Sequence, residues 1–332
     1  MSDRFTAAPG RTVVSRASAE AFGKLTHLVV DVGRRQGATL ARAAPRLVVG
    51  KVGSRHRTAR PREYAPPMSS PAAGVPEAAV ARAAPRLVRL NVVVGLAHLA
   101  QAILILILAK AAALPVNVRY MNGPPGAGRY RGPAALFDLR IDLAVAAFLL
   151  LAAADHLIVV SPLRRRWYLA NVLRGVNPAR WWEYSVSASI MVVLIAMLAG
   201  VTDAIALIAL FGVNTAMILF GLLMERANAT RDSVDWRPFI YGCIAGAVPW
   251  VAIGLQLGVS QANSRGVPGF VFVIFLTLFL LFNTFAVNMW LQYRGRGRWA
   301  DPAFAERVYL ILSLVAKSAL AWQVYAGALA GR

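Results

Sequence analysis

One lysine lies within the last long apolar stretch of this chain, Lys317 in LILSLVAKSALAWQVYAGAL. A charge near a bilayer centre is costly, so an ionisable group there is read first as functional. Lys317 sits too deep to snorkel easily to the interface. Lysine is scarce: Lys24, Lys51, Lys110 and Lys317 are all there are, and every other basic residue is arginine. An amine in apolar surroundings can lose its proton and form a Schiff base with a carbonyl compound, which a guanidinium cannot do. The plainer role is an ion pair with a carboxylate.

Glu183, in ARWWEYSVSASIMVVLIAMLAG, is the natural anion for that amine. A protonated Schiff base in low dielectric needs a nearby negative charge to keep its proton. Arg180 precedes Glu183 by three residues and Ser187 follows by four, so all three are expected on one helical face. Arg180 would hold the carboxylate ionised and Ser187 would donate to it. Glu183 as an interfacial partner of Arg180 is the alternative. Ser313 lies one turn before Lys317, within reach of its nitrogen.

Two histidines fall in apolar stretches, His98 and His156. Asn91, Gly95, His98 and Gln101 form one stripe by helical spacing. Such histidines can hold a proton transiently or anchor a water network, or they can be satisfied packing groups. Asn214 and Met191 are further pocket candidates. Phe270, Phe272, Phe275, Phe279, Phe282 and Phe285 crowd one stretch, with Trp250 and Trp322 in others. Apolar walls of this kind suit a flat conjugated ligand; ordinary packing explains most of them.

The elements that must carry these residues follow from composition. The 332 residues are 58% hydrophobic and 15% charged, with a mean hydropathy of +0.55. Soluble proteins carry about 25% charged residues, so a single soluble domain is excluded. The net charge of +21 suggests nucleic acid, but the basic residues sit before and between apolar runs, as in membrane proteins. One cysteine, Cys243, allows neither an internal disulfide nor a cysteine metal cluster.

Seven apolar stretches approach the roughly 20 residues that cross a bilayer: 87–112, 137–160, 178–200, 202–225, 237–259, 267–292 and 303–329. Helices are the default, because open strands cannot span lipid. Asn177-Pro178 and Asp301-Pro302 each read as an N-cap followed by proline at the first helical position. The third and fourth spans are divided only by Ala199–Asp203. The expected fold is an all-α membrane protein, a seven-helix bundle. The loop 113–136 is rich in Gly and Pro and reads as a turn-rich hairpin or a mobile segment. Fifteen Arg residues flank the spans on the N-terminal side, against seven Arg and Lys on the other. The positive-inside rule then puts the N-terminus in the cytoplasm and the C-terminus outside.

Residues 1–86 are a different material, rich in Arg, Ala, Pro and Gly. They read as a basic disordered tail, with short patches at 25–32 and 45–52 that could lie as a weak amphipathic helix on anionic lipid. No apolar run follows the first basic residues, so a cleaved signal peptide is not expected. Translation from Met68 is an alternative start. Residues 87–332 are the membrane domain.

Seven helices, a lysine in the middle of the last, and the Arg-x-x-Glu-x-x-x-Ser series at 180–187 resemble the microbial rhodopsins. The closer resemblance is to heliorhodopsins, over about residues 86–330. RWWEYSVSASIMVVLIAMLAG and SLVAKSALAW carry it, together with Asn91, His98 and Gln101. The cytoplasmic N-terminus agrees, because heliorhodopsins are inverted relative to other microbial rhodopsins. The resemblance implies all-trans retinal bound as a Schiff base on Lys317, with Glu183 as counterion. It implies that His98 and His156 lie in a polar cavity where a released proton is held, and that Ser187, Ser313 and Asn214 are polar pocket positions. It also implies a homodimer in the membrane and a light sensor rather than an enzyme. Outward proton pumps of the superfamily carry a second carboxylate eleven residues after the counterion. Here that position is Leu194, so signalling is expected over transport. No output module follows residue 332, so a signal would pass through cytoplasmic loops, the tail or a separate partner. A light-driven ion transporter and a retinal-free scaffold or regulatory subunit are the rival readings.

Overall fold

The computed structural model describes residues 77–264 and 266–330. The patches at 25–32 and 45–52, and most of the tail 1–86, lie outside the described residues. Among those described, seven helices are long and apolar enough to cross a membrane. They are α1 (Glu77–Leu108), α2 (Ile141–Val159), α4 (Pro178–Leu198), α5 (Ala204–Asn228), α6 (Arg237–Asn263), α7 (Gly269–Arg294) and α8 (Pro302–Val324). A π-turn over Tyr325–Leu329 prolongs α8. α3 (Arg165–Leu173) is a short helix between α2 and α4 that no apolar run announces.

Helix ends follow the local chemistry. The Asn177 side chain accepts from Arg180 N at 3.3 Å, with Pro178 just inside the start of α4. Asp301 accepts from Ala303 N at 2.9 Å ahead of Pro302 in α8. Asp203 accepts from Ile205 N and Ala206 N, both at 3.0 Å, and begins α5. The faint break between the third and fourth spans is thus an N-cap. Each such bond satisfies an amide that the helix itself leaves free. α7 ends on Gly295 at φ +60°, a left-handed C-cap that glycine takes without strain. α1 starts at Glu77, ten residues before the expected start at 87, and runs through Pro85. Pro85 removes one backbone donor from the helix, and Leu87 and Ala83 on either side of it pack in a cluster with residues of α3 and α8.

The all-α expectation needs one correction. Residues 113–140 form an antiparallel hairpin, β1 (Ala113–Met121) with β2 (Tyr130–Arg140), paired from Ala113↔Arg140 to Met121↔Tyr130 with two register shifts. The second span therefore begins at Ile141, not 137. The Gly- and Pro-rich segment 122–129 supplies the turn. Val116 is buried in the core, and Asn117 N donates to Thr202 O at 2.8 Å, which ties the hairpin to the α4–α5 turn.

The helices are apolar on nearly all faces, so periodicity of hydrophobicity does not say which face is inside. The rare polar side chains do. Asn91, His98, His156, Ser187, Asn214, Glu225, Glu306 and Lys317 are all buried, while large aliphatics such as Ile107, Ile208, Val251 and Leu280 lie exposed. Lipid solvates apolar surface as well as a protein core does, so polar groups turn inward. α1 packs on α2 and α8, α4 on α2 and α5, α5 on α6, and α7 on α8. α3 closes the end at which α1 begins, packing on α1 and α8.

Candidate functional site

Lys317 lies on the inner face of α8 and is 3% exposed. Its Nζ is 3.3 Å from Glu183 Oε2 on α4 and 3.0 Å from Ser313 Oγ one turn earlier. The Tyr184 ring lies 4.6 Å from the same nitrogen, so its electron-rich face adds to the anionic side of the site. Glu183 has one oxygen engaged; Oε1 is buried without a partner.

The lysine lines a cavity of about 370 Å³ formed by α4, α5, α6, α7 and α8. That lies within the range of small-molecule sites, which are mostly apolar with few polar groups. Trp181, Tyr184 and Met191 line it from α4, Trp250 from α6, and Phe279, Phe282 and Phe285 from α7. Trp250 meets Phe275, Phe279 and Phe282 edge-on at 5.5–5.7 Å between ring centroids. These edge-to-face contacts hold the walls in fixed orientations. Small residues at Gly221, Gly242 and Gly246 leave the space open. A Cβ on Gly221 would run into the Trp181 ring. Gly221→Ala is expected to displace Trp181 and lower stability by about 1–3 kcal/mol, the ordinary cost of overpacking. Thermal melting of the purified protein checks it, and an unchanged midpoint would refute the contact.

Several expected positions lie elsewhere. Asn214 is buried but donates to Ser189 Oγ at 3.0 Å, and it does not line the cavity. Trp322 donates its indole N–H to Gln101 Oε1 at 3.0 Å and packs edge-on against Tyr325, also outside the cavity walls. Ser187 is fully buried with no partner for its hydroxyl, so it does not donate to Glu183. Phe270 packs against Gly327 and Phe272 against the main core, not in the cavity.

Arg180 needs the largest correction: it does not pair with Glu183. It bridges Glu225 on the last turn of α5 and Glu306 near the start of α8. Helical side chains lean towards the N-terminus of their helix. A residue in the first turn of α4 therefore reaches past the helix start rather than down its face. The guanidinium also stacks on Tyr309 at 3.8 Å and Trp181 at 4.9 Å. Asn177 donates to both acids, its side chain to Glu306 at 2.8 Å and its backbone to Glu225 at 2.7 Å. Sequence reasoning missed Glu225, Glu306 and Tyr168, and it read Asn177 only as an N-cap. The rule that singled out Glu183 applies equally to Glu225 and Glu306, each sitting inside an apolar span.

His98 and His156 stack with centroids 5.7 Å apart and planes 5° apart. A Cβ on Gly95 would meet His156 at 3.1 Å, so glycine there lets α1 approach α2 at the pair. His156 Nδ1 is 3.0 Å from Asn91 Oδ1, while both ring nitrogens of His98 are buried without partners. Asn91 contacts Tyr168 on α3 at 3.0 Å, and Tyr168 contacts Glu306 at 3.2 Å. Burial and the Glu306 charge together push the Tyr168 phenol well above its ordinary range, so it stays a donor.

A buried amine–carboxylate pair at the end of an aromatic cavity, seven spans and a stacked histidine pair coincide with the match of a heliorhodopsin family model over residues 87–329. The chain belongs to the heliorhodopsin family. No curated protein matches it. As a heliorhodopsin it is a multi-pass membrane protein that binds retinal and senses light, and it is not an enzyme. The cavity fits that cofactor: its lining is mostly apolar and aromatic, it includes the Lys317 amine, and that amine pairs with Glu183, whose second oxygen is buried without a partner.

Proposed function

We propose that Lys317 carries all-trans retinal as a protonated Schiff base, that Glu183 is its counterion, and that the protein signals without transporting ions. The Nζ–Oε2 distance of 3.3 Å, at an amine that lines an aromatic cavity, supports this reading most directly. Retinal, once bound, supplies a conjugated chain whose linkage to an amine absorbs visible light and isomerises. The chain's own residues do the rest. Ser313 and Glu183 orient the nitrogen and hold its positive charge, and the Tyr184 face adds to them. Glu183 Oε1 is a spare acceptor that can follow a displaced charge. Trp250 and the α7 phenylalanines give the cavity an apolar wall, and an apolar surrounding strengthens electrostatic contacts. A moved charge next to a bistable helix arrangement shifts its population. In this reading the N-terminus is cytoplasmic, the pigment is a homodimer in lipid, and a separate cytoplasmic partner receives the signal.

Reconstitution of the full chain with all-trans retinal is expected to give a visible absorption band, and Glu183→Gln to shift that band. A band that stays in place removes Glu183 as counterion. Illuminated cells are expected to show no change in external pH that a protonophore abolishes. Such a change would favour transport, for which Leu194 leaves no second carboxylate on α4.

A further inference from the structure

The side chains between the histidine pair and the buried ion cluster have no freedom in who donates to whom. The Leu87 carbonyl only accepts, so the group 2.9 Å from it must be the amide nitrogen of Asn91. The second hydrogen of that nitrogen goes to the Tyr168 hydroxyl at 3.0 Å. Tyr168 spends its own hydrogen on Glu306 Oε1 at 3.2 Å, a carboxylate held by Arg180 that also only accepts. What Asn91 turns towards His156 is then Oδ1, an acceptor. His156 Nδ1, 3.0 Å away, must carry a hydrogen.

We propose that two acceptor-only anchors, the Leu87 carbonyl and the Glu306 carboxylate, lock neutral His156 in its Nδ1–H tautomer through Asn91 and Tyr168. Nε2 is then the one nitrogen of that ring able to take up a proton. Asn91 and Tyr168 are positioning residues for the histidine pair. The tautomer stands on the geometry alone. Its bearing on the photoreaction rests on the proposed function and adds one step to it: a proton released from the Lys317 nitrogen and taken up by His156 converts neutral imidazole to imidazolium at Nε2. The chain of contacts passes on polarity and not protons, because an amide has no acidic hydrogen to hand along and regain. A proton at Nε2 therefore has no route through Asn91 to Glu306. His98 lacks any such anchor, since neither of its nitrogens has a partner. The ring whose tautomer is set is the one tied to α3.

The test is the nitrogen spectrum of ¹⁵N-histidine-labelled full-length protein after reconstitution with retinal, read in the dark. The His156 signals are identified by their loss in His156→Phe. Wild type is expected to show hydrogen on Nδ1 and a bare Nε2. Asn91→Leu removes the acceptor and is expected to lower the Nδ1–H to Nε2–H ratio by roughly fivefold or more, the factor one ordinary hydrogen bond sustains. Tyr168→Phe should shift the ratio in the same direction by less, because Leu87 still holds the amide. In variants that retain a visible band, flash-induced loss of the nitrogen's proton is expected to slow by a similar factor. Hydrogen on Nε2 in wild type, or an unchanged ratio in both variants, would overturn the proposal. A protein that stays colourless would end the Lys317 reading, while the dark tautomer would still decide this one.

Discussion

Lys317→Arg is expected to give a folded protein that never acquires colour, and Lys317→Ala the same with lower stability. The two substitutions separate what the lysine does covalently from what it does by charge. Arginine keeps a permanent cation opposite Glu183 and Ser313, so the ion pair survives in some form. A guanidinium has no free amine to condense with an aldehyde. Alanine removes both the amine and the cation, and it leaves Glu183 buried with no compensating charge. Breaking a buried pair from one side costs about 3–5 kcal/mol. Adding Glu183→Gln to Lys317→Ala should recover most of that loss without restoring the band. Lys110 cannot substitute, being exposed beside the hairpin and outside the cavity. Visible absorption after incubation with all-trans retinal reads the first effect, and thermal melting followed in the ultraviolet reads the second. A coloured Lys317→Arg protein would place the chromophore on another group and end the assignment.

The sequence carried the architecture well because lipid imposes a simple rule: about twenty apolar residues, helical, with their ends marked by caps. Asn177-Pro178 and Asp301-Pro302 begin their helices where the capping logic places them. Lys317 and Glu183 were legible as a pair because Lys317 is the lysine in the middle of the last span and Glu183 is the carboxylate of the third. What the sequence did not carry was direction. Arg180, Glu183 and Ser187 share spacing on α4, yet Arg180 leans out past the helix start and the Ser187 hydroxyl meets nothing. Spacing gives a face; it does not give the lean of a side chain near a terminus. Asn214 and Trp322 were plausible pocket residues by type, but each found a partner on a neighbouring helix, Ser189 and Gln101. α3 was invisible because its nine residues have no apolar run, and its stability comes from Tyr168, Leu169 and Val172 packing on neighbours distant in sequence. The hairpin was one of two readings of 113–136, beside a mobile segment, and its strands were not separable from the second span because their residues do not follow a clean alternation.

Arg180→Met is expected to destabilise the folded protein by about 3–5 kcal/mol, the loss typical of removing one member of a buried ion cluster. Methionine matches much of the arginine stem, so the loss of packing is small and the loss of charge is the main change. The arginine side chain is 5% exposed and joins two carboxylates that are 1% and 4% exposed. Without it, Glu225 and Glu306 face each other in a site too dry to screen them, and one must bind a proton for the end of the bundle to stay closed. Asn177 and Tyr168 continue to donate to them, which softens the loss without cancelling charge. Arg180→Lys should recover only part, because a point charge cannot span two carboxylates and stack on Tyr309 at once. Arg180→Met combined with Glu225→Gln and Glu306→Gln should be more stable than Arg180→Met alone, since the unpaired charges are gone. That ordering distinguishes an electrostatic cluster from a packing site, where every added substitution would only lower stability further. The rate of thermal loss of the visible band is the measurement, because membrane proteins of this kind are compared by how fast they unfold. The same series tests why the cluster sits where it does. Glu306 joins α8, which carries Lys317, to α3 through Tyr168, while Arg180 joins α4, which carries Glu183, to α5. The helices bearing the two charged partners of the cavity are thus held in fixed relation at their N-terminal ends. An Arg180→Met protein that still forms pigment is expected to show an altered band position as well as faster bleaching, because the two helix starts are no longer clamped together.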